Sequence, residues 1–320
     1  MFSSLKKFLN PLEVARFLHS NSFYFTRKDG VFYLNKKGRN EQIKIKRGSV
    51  LSQYRQVRDF AYLFDYFALK DITLDDNSLR INNYRDIGID IARENEDEYM
   101  FMSLTFYFDD IRHPYIANPS AELIGYTLKR DIKPKDIVFD CGAFHGWFAI
   151  YAAKKAIEGH VYCFEPDESN LKVLEKNIKI NKLENVTIVP RVLAGKTGFV
   201  DFFEVGAVSS KMPDAPLSPN LQKNVRQVPS VSFRDFCETE KLGMVNFVKM
   251  DVEGAEVEII ESSKDFIKDH VESFAIASYH RIGNDPRTTS EMLEPILKDL
   301  GFDTETSYPS HKTTYALKRS

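Results

Sequence analysis

The 320-residue chain is long enough for one large domain or for a domain with a substantial extension. Its 44 basic and 46 acidic residues are spread evenly, for a net charge of -2, which argues against the basic face of a dedicated nucleic-acid binder. Three cysteines (Cys141, Cys163, Cys237) without CxxC spacing make neither a disulfide framework nor a zinc cluster, and no apolar run reaches the roughly 20 residues of a membrane helix.

The N-terminus has no apolar core followed by a small-residue cleavage site, so the expectation is a soluble, cytoplasmic protein with no membrane span. Short alternating runs at 23–25, 31–34 and 43–46, punctuated by Asp29-Gly30 and Lys37-Gly38, predict antiparallel strands joined by tight turns. The basic cluster Lys44-Ile45-Lys46-Arg47 reads as a solvated strand edge. Apolar positions at helical spacing (Val57, Phe60, Leu63, Phe64, Phe67) predict a helix over 49–70, with more strand-like sequence at 87–91 and 99–108.

After Pro119 the texture changes, and residues 1–118 are taken as an N-terminal α+β extension to an α/β domain over 119–320. A helix is expected at 121–128. Apolar strands at 137–139, 160–164, 186–189, 245–250 and 273–279 then alternate with helices at 147–156, 169–180, 253–266 and 291–300. A turn at 194–198 leads into a strand at 200–204. The tail from 302 to 317 lacks a helix and should close as an antiparallel hairpin at the sheet edge, making a mostly parallel sheet mixed. The stretch 212–227 has no clear period and reads either as a flap over a substrate or as a surface insertion.

Three strand ends carry chemistry. The first runs Asp140-Cys141-Gly142-Ala143-Phe144-His145-Gly146, a buried strand ending in an acid and turning through two glycines into a helix. In open α/β sheets ligands bind at such ends near the switch in strand order. The G-x-x-x-G spacing lacks the middle glycine of the dinucleotide fingerprint, which makes a nicotinamide or flavin enzyme a poor second choice. The second end, Phe164-Glu165-Pro166-Asp167, places an acid where it could accept hydrogen bonds from both ribose hydroxyls of a nucleoside, with Pro166 suited to open the next helix. A plain helix-start acid is the alternative for Glu165.

The third end, Lys249-Met250-Asp251-Val252-Glu253-Gly254-Ala255-Glu256, sets Asp251 and Glu253 on another wall of the cleft, unless either merely caps the following helix. Lys249 should pair with an acid or extend outward. His280 follows the strand at 273–279. As a neutral imidazole it could take a proton from a substrate hydroxyl, join Asp251 on a divalent cation, or serve structurally. His145 fits a pocket wall better than a base.

Together these blocks resemble the FkbM family of class I methyltransferases from about residue 136 to 279. The resemblance rests on 138–146, 161–167, 185–189 and above all Lys249-Met250-Asp251-Val252-Glu253-Gly254-Ala255-Glu256, which is similar to the family's K-I-D-V-E-G-A-E signature. It implies a Rossmann-like class I methyltransferase sheet and S-adenosyl-L-methionine as cofactor. It also implies O-methylation of a hydroxyl on a sugar, glycan or small natural product. The cofactor-binding set is Asp140, Cys141, Gly142, Ala143, His145, Gly146, Glu165, Pro166, Asp251 and Glu253; the catalytic pair is Asp251 and His280; no metal ligand is assigned.

Two positions depart from the family pattern: Phe144 stands where the loop usually reads G-A-N-x-G, and Ser278 stands where an acid usually precedes the histidine. These motivate a second reading, a nucleoside-binding or scaffold protein that keeps the fold without turnover. The expected partner is a small-molecule or carbohydrate acceptor rather than nucleic acid, and homo-oligomer formation stays open.

Overall fold

The computed structural model describes residues 11–20, 22–28, 31–37, 42–45, 72–74, 78–84, 87–95, 98–99, 125–203, 210–211, 225–307 and 312–319. Two compact units divide the chain, Met1–Pro119 and Ser120–Ser320. Among the described residues no helix is long and apolar enough to cross a membrane.

The first unit opens with helix α1 (Pro11–Ser20), which buries Val14 and Leu18, four residues apart on one face. Strands β1 (Phe23–Lys28), β2 (Val31–Lys36) and β3 (Gln42–Ile45) form an antiparallel sheet at the three expected places. A second antiparallel sheet runs β4 (Ile72–Leu74), β5 (Ser78–Tyr84), β6 (Ile87–Asn95), β7 (Glu98–Tyr99). Strand β6 was anticipated and β7 meets the start of the strand expected at 99–108, whereas Arg80, Asn82 and Asn83 blur the apolar alternation of β5. The Asp29-Gly30 turn, the helix expected over 49–70 and the strand beyond Tyr99 lie outside the described residues.

The second unit is a Rossmann-like α/β fold. Its strands are β8 (Ile137–Cys141), β9 (His160–Phe164), β10 (Val186–Val189), β15 (Phe247–Met250), β16 (Ser273–Ala277), β17 (Phe302–Ser307) and β18 (Thr313–Lys318). They lie in the order β10-β9-β8-β15-β16-β18-β17. The first five are parallel, whereas β18 runs antiparallel to both neighbours. The expected C-terminal hairpin therefore closes the edge of a mixed sheet. Chain order runs outward from β8 through β9 to β10, then resumes on the other side at β15. The switch point thus falls between β8 and β15.

The central strands are almost continuously apolar because both faces are covered. Helix α2 (Trp147–Lys155) is buried over its first seven residues, while α3 (Glu168–Ile180) turns Val173, Leu174, Asn177 and Ile178 inward. Asp167, not Pro166, starts α3: its side chain accepts the N–H groups of Ser169 and Asn170. Pro166 lies one residue further upstream, and its carbonyl accepts a hydrogen bond from Arg226 at 3.2 Å.

The helix expected over 253–266 is two, α5 (Glu256–Ser262) and α6 (Lys264–His270), divided at the buried Ser263. Helix α7 (Thr289–Asp299) opens on a capping box between Thr288 and Glu291. Of the helix expected at 121–128, residues 125–126 are helical and 127–129 are turn and bend.

A smaller sheet was only partly foreseen. It is ordered β11 (Val192–Ala194), β14 (Val225–Ser232), β12 (Gly198–Phe203), β13 (Ser210–Lys211), and β14 leads into helix α4 (Phe233–Thr239). Pro229 hid β14, since proline removes a ladder donor; here it is exposed and sits opposite Phe199. The flap or insertion read at 212–227 is described only from Val225, where it is already strand.

Phe139 anchors the core beneath the switch point. It is fully buried, and its ring centroid lies 5.1–5.7 Å from those of Tyr162, Phe164, Phe233 and Phe236. Replacing it with alanine (Phe139→Ala) should cost about 3–5 kcal/mol. The check is the urea midpoint of unfolding, which should fall without a change in slope.

Candidate functional site

Parallel register sets Asp140 on β8 directly beside Lys249 on β15, so both side chains share a sheet face. The Nζ of Lys249 lies 3.0 Å from Asp140 Oδ1, with both side chains almost wholly buried. It also donates to the Gly142 carbonyl at 2.6 Å, and it sits 5.4 Å from the centroid of the Tyr126 ring. Burial lifts the Asp140 carboxyl above its ordinary range, only partly offset by the ammonium beside it. Burial works against the Lys249 charge too, but Asp140 and Asp251 outweigh it and hold the ammonium above its usual value.

The glycine loop is pinned from several sides. Gly142 has φ +75°, and a Cβ there would lie 2.0 Å from the Asp251 carbonyl oxygen, so only glycine lets the β8 and β15 loops meet. Gly146, at φ +86°, forms the N-cap of α2 against Leu174. Asn177 of α3 donates to the His145 carbonyl at 2.8 Å. Phe144 occupies φ +49°, a region that asparagine tolerates far better than phenylalanine, and its ring stacks on His145 with centroids 3.6 Å apart. Burial pulls the His145 imidazole down to about 4, so it is neutral near pH 7. The Cys141 side chain belongs to the core, and only its carbonyl takes part here, accepting the Asp251 N–H at 3.0 Å.

Glu165 ends β9, 5% exposed. Its Oε2 accepts the Phe144 N–H at 2.8 Å; its Oε1 accepts the Asp167 N–H at 2.9 Å and the Asn170 amide at 3.3 Å. A carboxylate has about four acceptor positions, so one on Oε2 is left for a ligand. Burial raises this carboxyl to about 7, against the pull of those three donors. Glu165 is therefore no helix cap but a carboxylate held in place from both flanking loops.

The third strand end builds an acidic pocket around His280. Its Nδ1 is 3.0 Å from Glu256 Oε1; its Nε2 is 3.3 Å from Glu253 Oε2 and 4.0 Å from Asp251 Oδ1. Burial opposes its charge, but Glu253, Glu256 and Asp251 outweigh burial and lift the ring to about 11. The three carboxylates thus favour the protonated form of the ring over the neutral one. Neither Asp251 nor Glu253 caps α5; the fully buried Glu256 does related work, accepting the N–H groups of Val252 and Gly254.

Asp251 Oδ2 instead accepts the hydroxyl of Tyr126 at 2.9 Å, across 125 residues of sequence. Tyr126, Asn170, Asn177 and Glu256 are the neighbours that sequence reasoning did not assign. Ser278 is wholly buried and shares a hydrogen bond with Thr314 at 2.8 Å, so the position where an acid was missing is spent on joining β16 to β18.

Every candidate residue therefore gathers along one carboxyl edge, across β9, β8, β15 and β16. The edge offers buried acceptors for a donor-rich ligand at Glu165. At Asp251, Glu253 and His280 it also offers ligand atoms lying within 4.8 Å of one another.

Residues 140–304, just over half of the chain, match the Methyltransferase FkbM domain. Methyltransferase 1 of Beauveria bassiana is 23% identical in an alignment of 178 residues that covers 47% of this chain and 71% of that protein. The ribosomal protein L11 methyltransferase of Caldanaerobacter subterraneus subsp. tengcongensis is 44% identical over 61 residues, 19% of each protein. Among solved structures, a methyltransferase FkbM from Methylobacillus flagellatus KT is similar with a TM-score of 0.44 at 16% identity. That match covers 64% of this chain, which spans about half (52%) of the solved one.

Two outcomes follow from the geometry. Lys249→Met strands Asp140 in the interior and should cost about 3–5 kcal/mol, whereas the double variant Asp140→Asn/Lys249→Met recovers part of that loss; denaturant unfolding measures both. Glu165 has a folded pKa of about 7 against an ordinary 4.5, so its contribution to stability is full below pH 4.5 and is lost as pH rises through 7. Between pH 5 and 8 the stability difference should therefore move in favour of Glu165→Gln by about 2–3 kcal/mol, read from unfolding curves at each pH.

Proposed function

Because the chain belongs to the methyltransferase FkbM domain family, we propose that it transfers a methyl group from S-adenosyl-L-methionine to a hydroxyl on a sugar, glycan or small natural product. The observation that carries this reading is Glu165: a buried carboxylate at the end of β9, fixed by three protein donors and left with one acceptor position. The donor and acceptor chemistry of the edge fits the cofactor. Glu165 is suited to a ribose hydroxyl, and neutral His145 with stacked Phe144 to an apolar wall. When bound, S-adenosylmethionine supplies a methyl group on a positively charged sulfur.

The protein's own part is alignment and proton handling. Asp251 Oδ1 is buried without a hydrogen-bond partner, while Tyr126 holds Oδ2. We assign the proton of an acceptor hydroxyl to Asp251 Oδ1, the oxygen that Tyr126 leaves unengaged. His280 has a carboxylate against each ring nitrogen, so it acts by fixing Glu253 and Asp251 rather than by taking the proton itself.

The reading without turnover draws on Ser278, whose buried bond to Thr314 leaves β16 with no acid at that point of the edge. The two readings separate in one pair of measurements. Titration calorimetry with S-adenosylmethionine should give saturable heat that Glu165→Ala abolishes. A screen of hydroxylated acceptors with labelled cofactor should then yield product. Absence of heat at millimolar cofactor, with the chain folded by circular dichroism, overturns both; heat without product on any acceptor favours the scaffold.

A further inference from the structure

We propose that Tyr279 is the platform on which the acceptor docks, and that the docked ring is a pyranose. Its C–H face stacks on the phenol ring, and its hydroxyls turn toward Asp251 and Glu253. Tyr279 is 40% exposed. Of the large apolar side chains left exposed among the described residues of the second unit, it alone stands just past the end of a parallel strand. Its ring centroid lies 4.1 Å from that of His280, with 43° between the planes, so it borders the acids that His280 meets. That this pyranose is the molecule methylated rests on the methyltransferase reading; the platform itself does not.

Strand alternation decides which side of the sheet the ring serves. Ala275 of β16 stands opposite Lys249 in the parallel register. The ladder with β18 runs one residue beyond the strand, from the Ser278 N–H to the Lys312 carbonyl at 2.8 Å. Ser278 turns its hydroxyl to Thr314, on the side of Ile276. Tyr279 therefore falls with Ala275 and Ala277 on the opposite side, that of Lys249 and Asp140. Tyr126, whose ring centroid lies 5.4 Å from Lys249 Nζ, holds Asp251 from that same side.

The ring is exposed, yet its mount is fixed. The Ser290 N–H donates to the Ser278 carbonyl at 3.0 Å and the Thr289 N–H to the His280 carbonyl at 2.8 Å. The residues on both sides of Tyr279 are thus tied to the start of α7. A firmly mounted aromatic with two χ angles loses little entropy when a ligand covers it. The groups beside it suit a polyol. Asp251 and Glu253 are half-buried carboxylates, which accept and never donate while ionised, and so match neighbouring hydroxyls. A flat acceptor with one hydroxyl would use the phenol ring but leave a carboxylate without a donor. A pyranose brings an apolar C–H face and a rim of hydroxyls together.

The test is saturation-transfer NMR on the full chain with the methyl pyranosides of glucose, galactose and mannose, and with phenol as a flat control, each with and without S-adenosylhomocysteine. The expected result is transfer to pyranoside C–H protons, kept in Tyr279→Phe and lowered about three- to tenfold in Tyr279→Ala, the size of one aromatic contact. Tyr279→Leu, which keeps bulk without the aromatic face, decides the matter if Tyr279→Ala does not fold. Equal transfer in Tyr279→Ala, Tyr279→Leu and the native chain overturns the platform, as does no transfer to any pyranoside. Transfer to phenol alone overturns the sugar assignment. Tyr279-dependent transfer without any S-adenosylmethionine heat keeps the platform and removes the methyltransferase reading. Cofactor heat without Tyr279-dependent transfer does the reverse.

Discussion

The ion pair between Asp140 and Lys249 is the constraint on which the rest of the second unit depends. It crosses the switch point, where the two halves of the sheet meet, and it is out of reach of water. A buried pair of this kind contributes little net stability compared with apolar residues of the same volume, but removing one partner is costly. What it does supply is position. The same ammonium that answers Asp140 also binds the Gly142 carbonyl, so strand register and loop conformation are set by one side chain. The acids at the end of β15 then fall beside the glycine loop because the strands beneath them cannot slip.

From that seam the edge divides into two electrostatic environments. On the β9 side Glu165 is crowded by donors and raised to about 7, a carboxylate that gains from one more donor. On the β16 side three carboxylates crowd a single imidazole, a cluster that gains from positive charge. A ligand with hydroxyl donors at one end and a cationic centre at the other complements both, and the aromatic pair Phe144–His145 lines the way between loop and helix.

Much of this was legible in the sequence, and for identifiable reasons. Strand ends in parallel sheets are written as apolar runs closed by an acid and glycines, so Asp140, Glu165 and Asp251 could be placed at one edge before any coordinates. The hairpin at 302–317 was legible because no helix-forming segment separates its strands. What was hidden depended on packing across long separations: Tyr126 reaches Asp251 over 125 residues, and nothing near it marks that role. Pro229 disguised β14 and Ser263 divided a helix of uniform pattern. The crowding of His280 could not be read either, since three acids converge on it from a neighbouring loop and helix. At Phe144 the departure from the family pattern proved to be a matter of backbone as well as of polarity, because φ +49° is where asparagine is at ease.

The contact between Gly142 and the Asp251 carbonyl has a mechanical consequence. With no room for even a methyl group between them, and with Lys249 tied to the first loop and Asp251 bonded through its own N–H to Cys141, the two loops form one rigid sill. Neither can swing without the other. The sill therefore fixes the spacing of Asp140, Gly142 and Asp251, so any movement along this edge falls to the elements around it.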